Sequence, residues 1–97
     1  MADTAYVYIM ANQHNTVLYI GVTKHIEQRI WQHENTANEG SFSDKYNCHK
    51  LVYVEQCNSI KDAIAREKQL KNWKREWKDA LIEKLNPNWL DMSIYEV

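Results

Sequence analysis

The amino-acid sequence predicts an α/β (α+β) fold: a small three-stranded antiparallel sheet flanked by helices, in the order ββα, loop, βαα. Two observations predict the sheet. Two strand-like runs are joined by a short polar link, and a third run follows a long aperiodic stretch. Helical periodicity on either side of the third run supplies the helices. A chain of 97 residues has room for one modest core, so residues 1–97 are expected to form a single, stand-alone domain.

The strands are predicted from β-branched and aromatic residues. Residues 5–10 read AYVYIM and residues 17–22 read VLYIGV, with a polar, turn-prone link between them. So short a link predicts a hairpin. Residues 51–55, LVYVE, are the third predicted strand.

The helices are predicted from apolar spacing. Ile26 and Ile30 indicate a short helix over residues 24–34, and residues 35–50 lack a period and indicate a long loop. The next helix opens at Ser59, with Asp62 as its capping partner. Its apolar stripe is Ile60, Ala63, Ile64 and Leu70. A phase change predicts a break near Asn72 and a last helix that ends before Pro87, with a stripe of Trp73, Trp77, Ala80, Leu81 and Leu85. Residues 88–97 are expected to be an irregular tail, anchored by Trp89 and Leu90.

Glu67 is the most informative single residue, because at about 100° per residue it falls inside the apolar stripe of its helix. A carboxylate facing a core is costly unless a metal ion or an arginine meets it. From the pattern alone, an acidic functional site and a buried ion pair remain equal alternatives.

Composition narrows the function classes. The net charge is −1, but the segment from residue 66 to residue 78 carries six cations and two anions, a local charge of +4. That segment is either a nucleic-acid patch or a solvated helix face. Cys48 and Cys57 do not have CxxC spacing, and we expect them to be free thiols in a reducing compartment. No apolar run is long enough to span a membrane. A cytoplasmic protein without membrane contact is expected.

The predicted strands place two phenols together. Side chains alternate along a strand, so Tyr8 and Tyr19 are expected on one face of the hairpin, with Gly21 allowing close approach. Such a pair is often only cross-strand packing. Combined with Arg29, His33 and Glu67, however, it supplies what metal-assisted phosphodiester hydrolysis needs: a carboxylate for Mg²⁺, a guanidinium for phosphate charge, and a proton acceptor.

The motifs Tyr6-Val7-Tyr8 and Tyr19-Ile20-Gly21, followed by Arg29, resemble the signature of the GIY-YIG nuclease superfamily. The run REKQLKNWKR over residues 66–75 resembles the glutamate helix of its small single-domain members, which are similar to the N-terminal domain of the excinuclease C subunit. The first motif departs from the family pattern, because Tyr6 stands in place of glycine. The departure removes no reacting group.

The resemblance implies a role for each matching residue. Tyr8 lines the site and positions the water, Tyr19 is the general base, and Arg29 contacts the scissile phosphate. His33 assists proton handling, and Glu67 is the sole protein ligand of Mg²⁺ or Mn²⁺. The implied activity is a metal-dependent DNA endonuclease in repair or recombination. Structure-selective or weakly sequence-specific cleavage is expected, because so small a domain has little room for a sequence-reading element.

DNA is the expected partner, no organic cofactor is expected, and the oligomeric state is not predicted. Basic residues near the motifs are the candidates for phosphate binding: Lys24, Lys45, Lys68, Lys71, Lys74, Arg75 and Lys78.

Three alternatives stay open. Glu67 is neutralised by Arg29 in a structural ion pair; the domain binds nucleic acid without cleaving it; or it binds another protein through exposed tryptophans, for which the candidates are Trp31, Trp73, Trp77 and Trp89.

Overall fold

The computed structural model describes residues 4–28 and 47–92. Its three strands are β1 (Ala5–Ala11), β2 (Leu18–Thr23) and β3 (Lys50–Cys57), and its two full helices are α1 (Ile60–Lys71) and α2 (Arg75–Leu85). The strands form one antiparallel sheet in the order β2-β1-β3. The predicted α+β class is confirmed, and each strand lies within a residue or two of its predicted bounds.

The central strand β1 divides the core into two sides. Val7 and Ile9 point to the side that α1 and α2 cover, and all of these share one apolar cluster. Tyr8 and Met10 point to the opposite side and form a second cluster with Cys48. The predicted alternation is confirmed, because successive side chains of a strand point to opposite faces.

The β1–β2 turn is fixed by a side chain and by α2. The Asn12 side-chain oxygen accepts hydrogen bonds from the backbone N–H groups of Thr16, at 2.8 Å, and Val17, at 3.0 Å. Arg75, at the start of α2, donates to the backbone carbonyls of Asn15 and Thr16. The last helix is thereby tied to the hairpin.

The break between the helices lies where it was predicted. Ser59 Oγ accepts from the backbone N–H of Asp62 at 3.1 Å and caps α1. Asn72 follows the last residue of α1, and Lys74 has extended backbone, φ −63° and ψ 152°, just before α2 begins. One extended residue is enough to shift the phase of the helical pattern.

The predicted apolar stripes were too wide. Ala63 and Leu70 of α1 are fully buried, but Ile64 is 40% exposed. In α2 the buried residue is Ile82, which lay outside the predicted stripe, whereas Trp77 and Leu85 are more than half exposed. The physical reason is that a short helix on a three-stranded sheet buries only a narrow line of residues.

Asn86 secures the segment after α2. Its side chain is buried, donates to the backbone carbonyls of Val52 and Leu90, and accepts from the Leu90 N–H at 3.0 Å. Trp89 packs against the core as predicted, but the Leu90 side chain is 48% exposed and anchors little.

Two predicted elements lie largely outside the described residues. The short helix predicted over residues 24–34 is helical at residues 26–28, where the description stops. Of the predicted loop over residues 35–50, only residues 47–50 are described, and β3 begins at Lys50. In the ranges 4–28 and 47–92, neither helix is long and apolar enough to cross a membrane.

Candidate active site

The two phenols lie together, as the alternation predicted. Tyr8 is in the central strand and is only 1% exposed, whereas Tyr19 in β2 is partly exposed. Their ring centroids are 6.2 Å apart and the ring planes are inclined by 49°. Both rings belong to the cluster on the sheet face opposite the helices.

Gly21 makes room for the Tyr8 ring. The two residues are cross-strand partners in the β1–β2 register. A Cβ at position 21 would lie 2.5 Å from Tyr8 Cζ, closer than real Cβ contacts come. The close approach expected at this glycine is therefore real, and the approaching group is the phenol itself. Any side chain at position 21 would displace the phenol from its place on the sheet.

Glu67 lies on the packed side of α1 between Ala63 and Leu70, and its side chain is only 20% exposed. Its Oε2 is 3.2 Å from the Lys71 Nζ one turn later. A positive group was expected at this carboxylate, but that group was proposed to be a metal or Arg29. Lys71 is 55% exposed, so this pair contributes only a few tenths of a kcal/mol, about 0.3–0.5.

The path of α1 brings its last residue, Lys71, to the edge of the sheet beside Tyr19. Strands β2 and β3 run in the same direction, because both are antiparallel to β1. The helix α1 starts just after the end of β3 and turns back along the sheet, so it runs antiparallel to β2. At its far end, Lys71 reaches β2. There it lines a cleft of 340 Å³ together with Leu18, Tyr19, Ile20 and Lys78. Lys71 thus contacts Glu67 and shares the cleft with Tyr19, at a strand that among the described residues pairs only with β1.

The donor set at Glu67 fits a metal held by one carboxylate. Among residues 4–28 and 47–92, no group of three or more His, Cys, Asp or Glu side chains is arranged to hold an ion. Mg²⁺ does not require such a cage, since it keeps several waters and binds through one or two carboxylates plus substrate phosphate. The described contact of the Glu67 carboxylate is the ion pair of its Oε2 with Lys71.

The predicted phosphate-binding residues differ in their exposure and contacts. Lys68 and Lys74 are exposed on α1 and just before α2, and Lys24 is exposed after β2. Arg75 forms an ion pair with Asp79 at 2.7 Å and donates hydrogen bonds to the hairpin carbonyls. The Glu67–Lys71 pair was missed from the sequence, although its i,i+4 spacing was a signal for it.

Arg29, His33 and Lys45 lie in residues 29–46, outside the described part of the chain. Their roles stay predictions.

Comparisons with known proteins show the family. Residues 4–80 match the family model described as the GIY-YIG catalytic domain. The chain is 38% identical over 86 residues to a UPF0213 protein of Syntrophus aciditrophicus, covering 84% of this chain and 92% of that protein. It is 35% identical over 78 residues to a UPF0213 protein of Staphylococcus haemolyticus, covering 80% and 93%.

A solved structure supports the fold. The solution NMR structure of a UPF0213 protein from Bacillus halodurans is similar to this one with a TM-score of 0.58. The match covers 97% of this chain and 98% of the other, at 20% identity. The chain therefore belongs to the GIY-YIG catalytic-domain family, among its small UPF0213 proteins.

Proposed function

We propose that this protein is a divalent-metal-dependent endonuclease that hydrolyses phosphodiester bonds in DNA. The observation that carries the proposal is the edge of the sheet at β2. There the Tyr8 ring lies over Gly21 and contacts the Tyr19 ring. The largely covered carboxylate of Glu67 forms an ion pair with Lys71, which lines a cleft together with Tyr19. The family membership supports a nuclease type of activity for this arrangement.

Each side chain has a role that its surroundings support. Tyr8 is almost fully buried and packed on Gly21, so it is a rigid wall that orients Tyr19 and the attacking water. Tyr19 is partly exposed, and as the phenolate it would accept a proton from that water and become the neutral phenol. Glu67 would hold Mg²⁺ or Mn²⁺, which when bound polarises the phosphoryl oxygen. We assign Arg29 to the phosphate charge and His33 to proton handling.

The proposed substrate follows from the size of the surface. A GIY-YIG domain of this size has little area for reading a sequence, and lysines dominate the charges near the cleft. Lysines bind phosphates as point charges and read no base. We therefore propose structure-selective or weakly sequence-specific cleavage, suited to repair or recombination.

The experiment compares two carboxylate substitutions in the full chain. End-labelled single-stranded, nicked and branched DNA are incubated with wild type, Glu67→Gln or Glu76→Gln, with Mg²⁺ or Mn²⁺ present. Glu67→Gln should lose cleavage by about 100-fold or more, the size seen when one charge-stabilising group is removed. Glu76 is exposed on α2 and serves as the matched control, which should cleave like wild type.

Two outcomes would contradict the proposal. One is cleavage by Glu67→Gln at the wild-type rate, because a cleaving site would then not involve this carboxylate. The other is DNA binding by wild type without cleavage of any substrate in either metal, which would favour the non-cleaving nucleic-acid module.

A further inference from the structure

The most exposed aromatic ring in the described part of the chain lies beside the candidate active site. Trp77 on α2 is 52% exposed. It precedes Lys78, which lines the cleft that also contains Tyr19 and Lys71. A single exposed apolar side chain is ordinary, so a binding role for Trp77 depends on how the ring is held and on the charges around it.

The Trp77 ring is held in a fixed orientation. It contacts Trp73 edge to face, with centroids 6.2 Å apart and planes at 82°. Trp73 in turn packs against the core and lies under the Arg66 guanidinium, 5.2 Å from its ring centroid. A ring fixed before binding loses little side-chain entropy when a ligand covers it.

Cations surround the ring. The Lys74 Nζ lies 5.7 Å from the Trp77 centroid, and Lys74, Trp77 and Lys78 share one side of α2 by their i, i+3, i+4 spacing. Glu76 lies on the opposite side of the helix by the same geometry, and Asp79 is paired with Arg75. The side that presents Trp77 is therefore positively charged.

We propose that Trp77 is a stacking platform for an unpaired base of a DNA strand whose phosphates contact Lys74 and Lys78 on its way to the cleft. An aromatic face between lysines suits a nucleic-acid strand, which offers stacking bases and negative phosphates together. It suits a protein partner less well, because lysine is depleted in the cores of protein interfaces. The inference deepens the proposed function, on which it rests for the identity of the strand as substrate.

The test is a binding measurement in metal-free buffer, by fluorescence anisotropy of a labelled single-stranded oligothymidine with the full chain. Trp77→Leu keeps an apolar side chain and a good helix former but removes the stacking face. It should weaken binding roughly fivefold to hundredfold, the range for loss of one base–aromatic stack. Trp77→Phe should retain most of the affinity.

Leu85→Ala is the matched control. Leu85 is 53% exposed on the same helix, eight residues and about 12 Å beyond Trp77. The Leu85→Ala variant should therefore bind the oligonucleotide like wild type. Fully paired duplex of the same length should be insensitive to Trp77→Leu, since it presents no free base.

Three results would contradict the stacking proposal. Two concern binding: unchanged oligothymidine binding by Trp77→Leu, or an equal loss of binding in Leu85→Ala. The third is a change in sedimentation coefficient caused by Trp77→Leu, which would show that the ring belongs to a protein interface. Because no metal is present, failure here is separate from failure of the cleavage proposal. If cleavage requires Glu67 but strand binding does not require Trp77, the proposed activity stands and only the stacking role of Trp77 is refuted.

Discussion

Replacing Gly21 by alanine tests the tyrosine site through its packing. The new Cβ would lie 2.5 Å from Cζ and 3.0 Å from Cε2 of Tyr8. Tyr8 is 1% exposed in the central strand, so its ring can be displaced only by moving the side chains packed around it. Overpacking of this kind costs about 1–3 kcal/mol. The lower backbone entropy of unfolded alanine offsets about 0.4–1 kcal/mol, which leaves a net destabilisation of about 1–2 kcal/mol.

Urea unfolding of wild type and Gly21→Ala measures this difference in unfolding free energy. The same substitution made in the Tyr8→Leu variant identifies its cause. In Tyr8→Leu the clashing ring is absent, so adding Gly21→Ala there should cost less than half as much as it does in wild type. Equal costs in both backgrounds would show that the ring is not the obstacle. A Gly21→Ala protein as stable as wild type would refute the reasoning, because the predicted clash between the new Cβ and the Tyr8 ring would then not occur.

Two further changes probe the carboxylate and a buried phenol. Lys71→Met removes a cation beside Glu67 and should tighten Mn²⁺ binding roughly twofold, because the ion no longer has to displace an exposed pair worth about 0.3–0.5 kcal/mol. Electron paramagnetic resonance of free Mn²⁺ measures this, and an unchanged constant would place the ion elsewhere. Burial, together with the hydrogen bond to Glu55, raises the pKa of Tyr53 to about 12. The raised value stabilises the fold below pH about 10, and this contribution should be lost as pH rises from about 10 through 12. Tyr53→Phe should remove that pH dependence from the unfolding free energy; an unaltered profile would assign it to another group.

Local patterns predicted the strands and the two phenols well. Alternation within β1 and β2 depends only on the extended backbone, so it fixes which residues share a face before any tertiary contact is known. The hairpin needs one turn to bring Tyr8 and Tyr19 onto the same face of paired strands, as diagonal neighbours two residues apart in the register. That is why their pairing was predictable from two tripeptides, and why the ring contact at 6.2 Å agrees with the expectation.

The surroundings of the helices were less predictable, since they depend on how far each helix overlaps a small sheet. The spacing of Ile64 and Trp77 is compatible with burial, yet both side chains are exposed. Charge has the same limit. Arg75 and Lys74 are equivalent in a count of cations, but the first holds the hairpin carbonyls and the second lies over an indole. Only the tertiary path of α2 separates an anchoring cation from one that is available to a phosphate.

The position of β2 at the sheet edge is a condition for the proposed chemistry. The Tyr19 side chain lies on one face of the sheet, and Glu67 belongs to helix α1, which packs against the other face. Side chains on opposite faces of a continuous sheet are separated by its backbone, so they can serve one phosphate only where the sheet ends. Among residues 4–28 and 47–92 the strand order is β2-β1-β3, so the second tyrosine motif lies at such an end, and the last residue of α1 lies at the same edge. A further strand paired to β2 would cover the cleft and separate the phenol from the carboxylate.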